Sequence, residues 1–413
     1  MAFNGYTIDH VTLAALDSFE ANCVSLRTCS RKVEGLFGQQ GMKRGDTIRV
    51  RKPAQFTIRT GTAWIGQNIN EQYENLVLNY QIGVDGEMSS AERKLELNSL
   101  TNQVIKPIAI RVANEVDRIV LRDVARRTYN QTGTYGTTPT AMSTYLTARG
   151  RMSDMTAPRG RGQLHMMINP AMEATVTTAI TAGQNSLGPY VNPATAVGDL
   201  YSNADMDGVY SHGMNFHMDQ NLYVHTFGTR GTDTVLTSAA SAEGATTLAT
   251  DGWTGTNGLL EGDRFTIASV FAVNPITKTA YPWLQPFVVT ADGNSASGAL
   301  TISISPTIRA SGQFQNVSAL PANDATLTFA GGSAAVATCG ALWHKEAVTL
   351  AIVPLDKPDG VNQASTKSDP TSGVSMRYIE WYDGDTDMWK FRTDVLFGVL
   401  LQRAEHAITV YAE

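Results

Sequence analysis

Seven histidines and two acidic stretches are the side chains of this 413-residue chain that could hold a metal ion. His212 and His217 are five residues apart, and no third ligand follows at a usable spacing. The stretch from Asp383 to Asp387 begins like a calcium-binding loop, but Met388 stands where that pattern needs glycine. The shorter stretch at 205–208 offers too few ligands. The sequence therefore favours polar turns over metal sites and predicts no metal.

Residues for other kinds of chemistry are equally sparse. The chain lacks the glycine-rich phosphate loops, the serine nucleophile elbow and the His-Glu-x-x-His motif. Its three cysteines cannot build a disulfide framework. We therefore predict no enzyme and no cofactor. The densest basic stretch outside the long predicted helix is either a patch that faces a polyanion or a solvated turn; it comprises Arg149, Arg151, Arg159 and Arg161.

The composition is typical of an ordered globular protein. Hydrophobic residues make up 42% of the chain and charged residues 17%. The formal net charge of −6 argues against a protein that grips nucleic acid over its whole surface. No signal peptide is visible at the start, and no apolar run approaches the roughly 20 residues of a membrane helix. We expect synthesis in a cytoplasm and no membrane partner.

The first part of the chain predicts a helix followed by an extended hairpin. Apolar residues recur at helical spacing between Thr7 and Arg31, which indicates one amphipathic helix. That helix either packs on its own domain or forms an arm that reaches a neighbour. Alternating residues predict a strand near 47–52 and a second one over 76–84. The polar segment 54–75 between them is long for a loop, and such loops usually have a function.

The strongest helical pattern covers residues 102–127. Its apolar stripe runs from Val104 to Val124, and we place Asp117, Asp123 and several arginines on the polar faces. Asp123 could pair with the arginines three and four residues later. Pro107 either begins the regular helix or kinks it. The segments that follow predict a helix, a turn, a strand and a helix, at 141–152, 157–162, 164–168 and 171–181.

The amino-acid composition changes between Tyr223 and about His344. This part is rich in Gly, Thr, Ser and Ala, and short β-forming runs alternate with turn residues. Such a pattern predicts a small β-barrel or sandwich. Because strand and helix patterns resume near Trp343, the sequence indicates a β domain inserted into a host domain.

Several segments, taken in order, resemble coat proteins of tailed phages with the Hong Kong 97-type fold. The β-rich part also resembles the extra domain of the Salmonella-type short-tailed phage coat proteins. The segments that carry the resemblance are Gly45–Pro53, the helix at 104–127, Ala157–Arg161 with Asn169-Pro170, Gly262–Ile267, Val273–Lys278, Phe287–Val289, Trp343–Ala351, Ser375–Arg377 and Phe391–Gly398.

The resemblance implies an α+β chain of the Hong Kong 97-type fold, with an inserted small β-barrel. The implied parts are an N-terminal arm (1–45), an extended-loop hairpin (46–84), a peripheral domain with a spine helix (85–140), an axial domain with the remaining core (141–222 and 347–413), and the inserted β-barrel (223–346).

The function implied by the resemblance is that of a major capsid protein, which self-assembles into an icosahedral shell around a double-stranded DNA genome. The implied partners are further copies in pentamers and hexamers, a scaffolding protein, a portal protein and a decoration protein. The DNA would be enclosed without sequence-specific binding, in a virion assembled in the bacterial cytoplasm. Residues 54–80 contain no lysine, so covalent crosslinking through the loop is not expected.

Three groups of contact residues follow as hypotheses. An acidic helix face would bind a basic segment of a scaffolding protein. Loop side chains would contact a neighbouring subunit, and charged residues of the insert would contact another copy, although this region has few charges. These groups are Asp9, Asp17 and Glu20; Arg59, Trp64, Asn68 and Glu71; and Arg230, Asp233 and Glu243.

Two other structural roles fit a chain that is rich in β-structure and has few candidate catalytic or metal-binding residues. One is a cargo shell of the encapsulin type on the same fold, which packaged protein instead of packaged DNA would reveal. The other is a subunit of a phage tail or fibre, which would form tubes or fibres instead of closed shells.

Overall fold

The structure is a computed structural model, and it describes residues 8–32, 44–56, 58–64, 66–89, 101–185, 207–358, 363–369 and 373–413. The predicted helix start at Thr7 and the acidic residue Asp205 lie outside these ranges. None of the helices in the described ranges is long and apolar enough to cross a membrane.

In the part of the chain that the structure describes, five α-helices and many short strands confirm the predicted α+β class. The helices are α1 (Ile8–Asn22), α2 (Ser25–Thr28), α3 (Lys106–Arg127), α4 (Met142–Asp154) and α5 (Pro170–Asn185). The first strands are β1 (Thr47–Arg51), β2 (Tyr73–Val77), β3 (Tyr80–Ser89), β4 (Gln131–Thr132), β5 (Leu164–Ile168), β6 (Tyr210–Ser211), β7 (Met214–Met218) and β8 (Tyr223–Thr226).

The remaining strands fill the second half of the chain. They are β9 (Leu236–Thr237), β10 (Ala245–Asp251), β11 (Gly258–Leu259), β12 (Arg264–Val273), β13 (Ala280–Val289), β14 (Gly293–Asn294), β15 (Ala299–Ile308), β16 (Leu327–Phe329), β17 (Val336–His344), β18 (Val348–Val353), β19 (Gln363–Ser368), β20 (Ser375–Asp383), β21 (Met388–Leu401) and β22 (Ala407–Ala412). The chain divides into two compact units, Met1–Arg51 with Tyr73–Val120 and Val348–Gln402, and Lys52–Gln72 with Leu121–Ala347 and Arg403–Glu413.

The first unit is built on a five-stranded antiparallel sheet. The long strand β21 pairs with β3 on one side and with β18 and β20 on the other, and β19 forms an edge beyond β20. Helix α1 packs against β19 and β20 through apolar side chains such as Leu16 and Phe19, which are buried.

The prediction of one continuous helix from Thr7 to Arg31 was wrong, because the chain breaks after Asn22. The break is caused by Asp117 of α3, whose carboxylate accepts hydrogen bonds from the backbone N–H groups of Val24 and Ser25 and from the thiol of Cys23. A carboxylate at this position satisfies N–H groups at the start of α2 that would otherwise lack partners. Asp117 is therefore buried, and its predicted place on a polar face was also wrong.

The predicted hairpin forms, but its second strand is interrupted. Strands β1 and β2 pair antiparallel, with Ile48 opposite Leu76. The segment predicted as one strand over 76–84 is divided between two strands. Strand β2 ends at Val77, and β3 begins at Tyr80 and pairs with β21 instead of β1. Both Leu76 and Leu78 are buried, so the alternation of apolar residues was read correctly while the change of partner strand was missed.

The long helix α3 begins one residue before Pro107, so the proline lies at the start of the regular helix. A short π-helical turn, Thr101–Ile105, precedes it. Asp123 is buried and pairs with the adjacent Arg122. Arg126, one of the two later arginines, forms its ion pair with Glu261.

The second unit contains a seven-stranded mixed sheet. Its order is β4-β22-β17-β5-β7-β6, with β8 also paired to β17. The β4–β22 and β5–β7 pairs are parallel and the others are antiparallel. Helices α4 and α5 lie in the same unit.

Six strands of the second unit form a closed sheet that we call the barrel. Their order is β16-β12-β13-β15-β10-β9, and the two end strands meet, because Leu327 N–H donates to Val235 O at 3.0 Å and Thr237 N–H donates to Ala325 O at 3.0 Å. The interior is filled by buried apolar side chains, among them Phe265, Phe287 and Ile302. Closure leaves no free sheet edge to attract another chain.

Candidate functional site

The segment 52–72, which we call the extended loop, connects strands β1 and β2. At its base Lys52 N–H donates to Gln72 O at 2.7 Å. At its tip the Arg59 guanidinium donates to the carbonyl oxygens of Gly61 and of Ala63, the latter at 3.0 Å. Arg59 thus folds the tip on itself and fixes the backbone on either side of it.

The extended loop exposes large apolar side chains. Ile58 and Trp64 are each 86% exposed, Ile69 is 70% exposed and Phe56 is 58% exposed. Exposed apolar surface of this size is costly in water and marks sites of protein contact. The sequence pointed to Trp64 only, although an apolar residue in a polar segment between two strands was a usable signal for the other three.

The four predicted loop residues all lie on this loop and are all exposed. They serve different purposes. Arg59 shapes the tip, Trp64 lies on the surface, and the backbone oxygen of Asn68 accepts a hydrogen bond from Gln313 Nε2 of the same chain at 3.1 Å. Glu71 has interactions of its own within the chain.

The acidic residues of α1 do not share one environment. The Asp9 carboxylate accepts a hydrogen bond from Ser365 Oγ at 2.5 Å and pairs with Lys367 Nζ at 3.0 Å. These two hydrogen bonds, together with the lysine charge, lower the pKa of Asp9 below its usual value. Asp17 is exposed and Glu20 is half-buried. The structure therefore brings Asp9 to a basic group of its own chain.

The predicted insert residues each bind within their own chain. Arg230 is buried, donates to Gly331 O and lies 4.4 Å from the Phe329 ring centre, and burial lowers the pKa of its guanidinium. The Asp233 carboxylate accepts from Thr254 Oγ1, from Asn257 Nδ2 and from Thr254 N–H, and these bonds lower its pKa. Glu243 Oε2 accepts from Ala310 N–H at 3.0 Å. Arg230 and Asp233 lie in one turn, since Asp233 N–H donates to Arg230 O at 3.1 Å.

The described histidines and acidic residues make hydrogen bonds and ion pairs within the chain. Among the described residues, no group of three or more His, Cys, Asp or Glu side chains is placed to bind a metal ion. His217 instead stacks on His165, with His165 Nδ1 and His217 Nε2 3.0 Å apart. Asp383 of the calcium-like turn is paired with Lys390 Nζ at 2.7 Å.

The basic stretch on and after α4 is largely engaged within the chain. Arg151 donates to Gln131 O at 2.6 Å and lies over the Trp283 ring, and Arg161 lies over the Tyr210 ring. Arg159 donates to Ser153 Oγ at 3.0 Å. These contacts favour the interpretation of a structured turn over that of a patch that binds a polyanion.

Comparison with known proteins identifies the family. A family model described as P22 coat protein, gene protein 5, matches residues 1–410. No curated protein matches the chain. Solved structures with similarity include the capsid of Ralstonia phage GP4 (9% identity, TM-score 0.45, covering 96% of this chain and 91% of that chain). A structure from Mycobacterium phage Che8 has 9% identity and a TM-score of 0.43, covering 94% and 90% of the two chains.

A third solved structure, the CUS-3 coat protein I-domain, is 28% identical with a TM-score of 0.19, and the match covers 24% of this chain and 96% of that chain. The family match extends over nearly the whole chain and confirms the predicted resemblance to a phage coat protein. The chain belongs to the P22 coat protein family and is a major capsid protein that forms the shell of a tailed-phage virion.

Proposed function

We propose that the extended loop of each copy lies over a neighbouring copy in the shell and contributes the apolar part of their contact. The observation that carries this proposal is the exposure of Phe56, Ile58, Trp64 and Ile69 on one short segment. Their burial between copies would remove apolar surface from water, at about 25 cal/mol per Å². Because Arg59 already fixes the tip, little ordering entropy would remain to oppose binding.

We further propose the five-part division given by the resemblance: arm 1–45, hairpin 46–84, peripheral domain 85–140, axial domain 141–222 with 347–413, and inserted domain 223–346. The closed barrel supports an insertion, since its strands run from Leu236 to Phe329, while the flanking strands β8 and β17 pair with each other in the mixed sheet. In this scheme copies meet as pentamers and hexamers around the axial domain.

The shell would enclose double-stranded DNA without sequence-specific contacts. A mildly acidic coat suits this role, because strong binding to phosphates would resist the sliding of DNA into the shell. The portal and a decoration protein are further proposed partners. We propose no catalytic activity, since no motif for phosphate binding or nucleophilic catalysis is present in the sequence.

The acidic helix α1 is proposed to bind a basic segment of a scaffolding protein. Asp17, which is exposed, would make the first contact, and Asp9 and Glu20 would add to the acidic surface. Charge reversal at Asp17 and Glu20 should then impair assembly that depends on scaffold. A matched reversal at Asp85, which pairs with Arg392 on β21, keeps the change in net charge per site and should leave scaffold binding intact. Equal assembly by all variants would contradict the scaffold proposal.

Imaging tests the proposed function as a whole. The full-length protein, expressed alone and with candidate scaffold genes, should form closed shells or capsomer rings in negative-stain electron micrographs. Shells purified from infected cells should contain DNA and should give no ladder of crosslinked subunits on denaturing gels. Tubes or fibres, or shells filled with protein cargo, would contradict the proposal.

A further inference from the structure

Arg264, the first residue of strand β12 in the barrel, is a fully buried cation with an unusual set of partners. Its guanidinium makes four hydrogen bonds outside the barrel: Nε donates to Thr128 O at 2.6 Å, Nη2 donates to Ala125 O and to Thr409 Oγ1 at 2.8 Å, and Nη1 donates to Tyr411 Oη at 2.8 Å. Only 1% of the residue is exposed. Among the described residues no carboxylate forms an ion pair with it, so neutral oxygens must compensate the charge.

Two of these partners are carbonyl oxygens at the C-terminal end of α3. The last carbonyls of a helix lack partners within the helix and carry the negative end of its dipole. Ala125 lies in the last turn of α3 and Thr128 directly follows it. A guanidinium suits this position because several donors in one rigid plane reach both carbonyls at once and supply positive charge.

The other two partners lie on strand β22 of the mixed sheet. Thr409 and Tyr411 are two residues apart, on the same face of the strand, and both are buried. Arg264 therefore joins three elements in one contact: the start of a barrel strand, the end of α3 and a strand of the mixed sheet.

The residue before Arg264 fixes its own side of this contact. The Asp263 carboxylate, also fully buried, accepts from the backbone N–H groups of Gly228 and Leu260, both at 3.0 Å, and is bonded to His225 Nε2 at 2.9 Å. These partners belong to the segments that lead into the barrel. Asp263 thus binds His225, Gly228 and Leu260, whereas the side chain of Arg264 binds the C-terminal end of α3.

A second barrel residue makes the same kind of contact with another helix. Tyr281 Oη of β13 donates to the carbonyl oxygen of Asp154, the last residue of α4, at 2.7 Å. Two helices that end in the second unit thus have a C-terminal carbonyl that accepts a hydrogen bond from a barrel side chain. The Tyr281 contact is less buried than the Arg264 contact, so we expect it to contribute less.

We propose that Arg264 is a positioning residue through which the barrel fixes the C-terminal end of helix α3 and strand β22. The barrel has an apolar core of its own and does not need this side chain to close. The helix end does need it, because no other side chain of the described residues donates to both Ala125 O and Thr128 O. The barrel therefore stabilises the fold of the domain that carries it, in addition to folding around its own core.

Hydrogen exchange of the full-length protein, assembled into shells, tests this proposal with Arg264→Lys. A lysine keeps the charge but has one nitrogen, so it cannot reach the two carbonyls and the two hydroxyls together. We expect peptides that cover residues 121–130 and 407–413 to exchange about ten-fold faster or more, the factor that corresponds to a lost hydrogen bond of about 1.4 kcal/mol. Barrel peptides such as 245–251 and 299–308 should keep their protection.

The matched control is Arg309→Lys, which changes an arginine that directly follows β15 of the barrel and lies over the Phe314 ring. It should leave residues 121–130 unchanged. If Arg264→Lys does not fold, Tyr411→Phe removes one acceptor while the buried ring stays, and it should speed exchange at the same two segments. Unchanged exchange at 121–130, or loss of protection in the barrel first, would overturn the proposal.

Discussion

The extended loop and the barrel are both long segments between strands of other sheets. They differ in whether their apolar side chains are exposed or buried. The barrel turns Phe265, Phe287 and Ile302 inward and closes its sheet around them. The extended loop leaves Ile58 and Trp64 in solvent, and its own hydrogen bonds involve the backbone and Arg59.

This difference separates two uses of apolar residues. In the barrel they supply the free energy that folds the segment itself. In the loop they contribute little to the fold of the single chain and remain available for a contact between chains. A shell protein needs both kinds, because the subunit must be stable before assembly and must still gain stability from assembly.

The largest expected effect is in the barrel core. Phe265→Ala removes a fully buried ring that contacts Phe287 and Phe329. We expect a loss of about 3–5 kcal/mol in the free energy of unfolding, measured by urea titration of the unassembled subunit. Phe56→Ala in the loop deletes the same ring and should change this free energy by less than about 0.5 kcal/mol. Similar losses in both variants would remove the distinction between the two regions.

The second effect is a loss of stability at low pH, which we expect from two buried histidines outside the barrel. Burial, with the charges of His217 and Lys345 nearby, lowers the pKa of His165 to about 3, and burial also lowers the pKa of His406. Below pH 6.5 the unfolded chain takes up protons that the folded protein does not. Stability should therefore fall as the pH drops towards 3, by up to about 1.4 kcal/mol per pH unit for each such group.

Urea titrations between pH 7 and pH 4.5 check this slope. His165→Asn should reduce the slope of the free energy of unfolding against pH by up to the amount due to one proton. His212→Asn, at an exposed position, should leave this slope unchanged. Barrel residues 236–329 contain no histidine, so peptides of the barrel should keep their hydrogen-exchange protection over the same range. A slope that does not respond to His165→Asn would contradict the assignment.

The third effect belongs to assembly instead of folding. Trp64→Ala removes the largest exposed side chain of the loop. If it anchors a contact between copies, each contact should lose about 2 kcal/mol, which is about thirty-fold in affinity. Light scattering should show a higher critical concentration for shell formation and an unchanged urea midpoint. Thr60→Ala, a polar neighbour on the same loop, is the control and should assemble normally.

The smallest effect tests whether the loop depends on its own barrel. Gln313→Ala removes the exposed hydrogen bond from Gln313 Nε2 to Asn68 O. We expect a change below about 0.5 kcal/mol in unfolding and normal assembly, because exposed hydrogen bonds are exchanged for bonds to water. Loss of shells comparable to that of Trp64→Ala would mean that the barrel of the same chain positions the loop.

The sequence predicted the elements whose pattern is local. The apolar stripe of α3, the strand β5 between its turn and Asn169-Pro170, and the main barrel strands all follow from periodicity and turn residues. The candidate loop was also predictable, because a polar segment of this length between two strands is rare in a compact domain.

The missed features depend on residues far apart in the chain. The break after Asn22 is set by Asp117, 94 residues from Cys23. The change from β2 to β3 at Leu78 is set by pairing with β21, about 300 positions later in the chain, and periodicity cannot reveal which strand is the partner. The partners of Arg264 lie 136 to 147 residues away, and nothing in its neighbourhood marks it as buried.

A cryo-electron microscopy reconstruction of the assembled shell tests the central claim most directly. Our account predicts that Ile58, Trp64 and Ile69 are buried against a neighbouring copy, while the barrel core around Phe265 is the same as in the single chain. Loop side chains that remain in solvent in the shell, or that pack only on their own subunit, would contradict it.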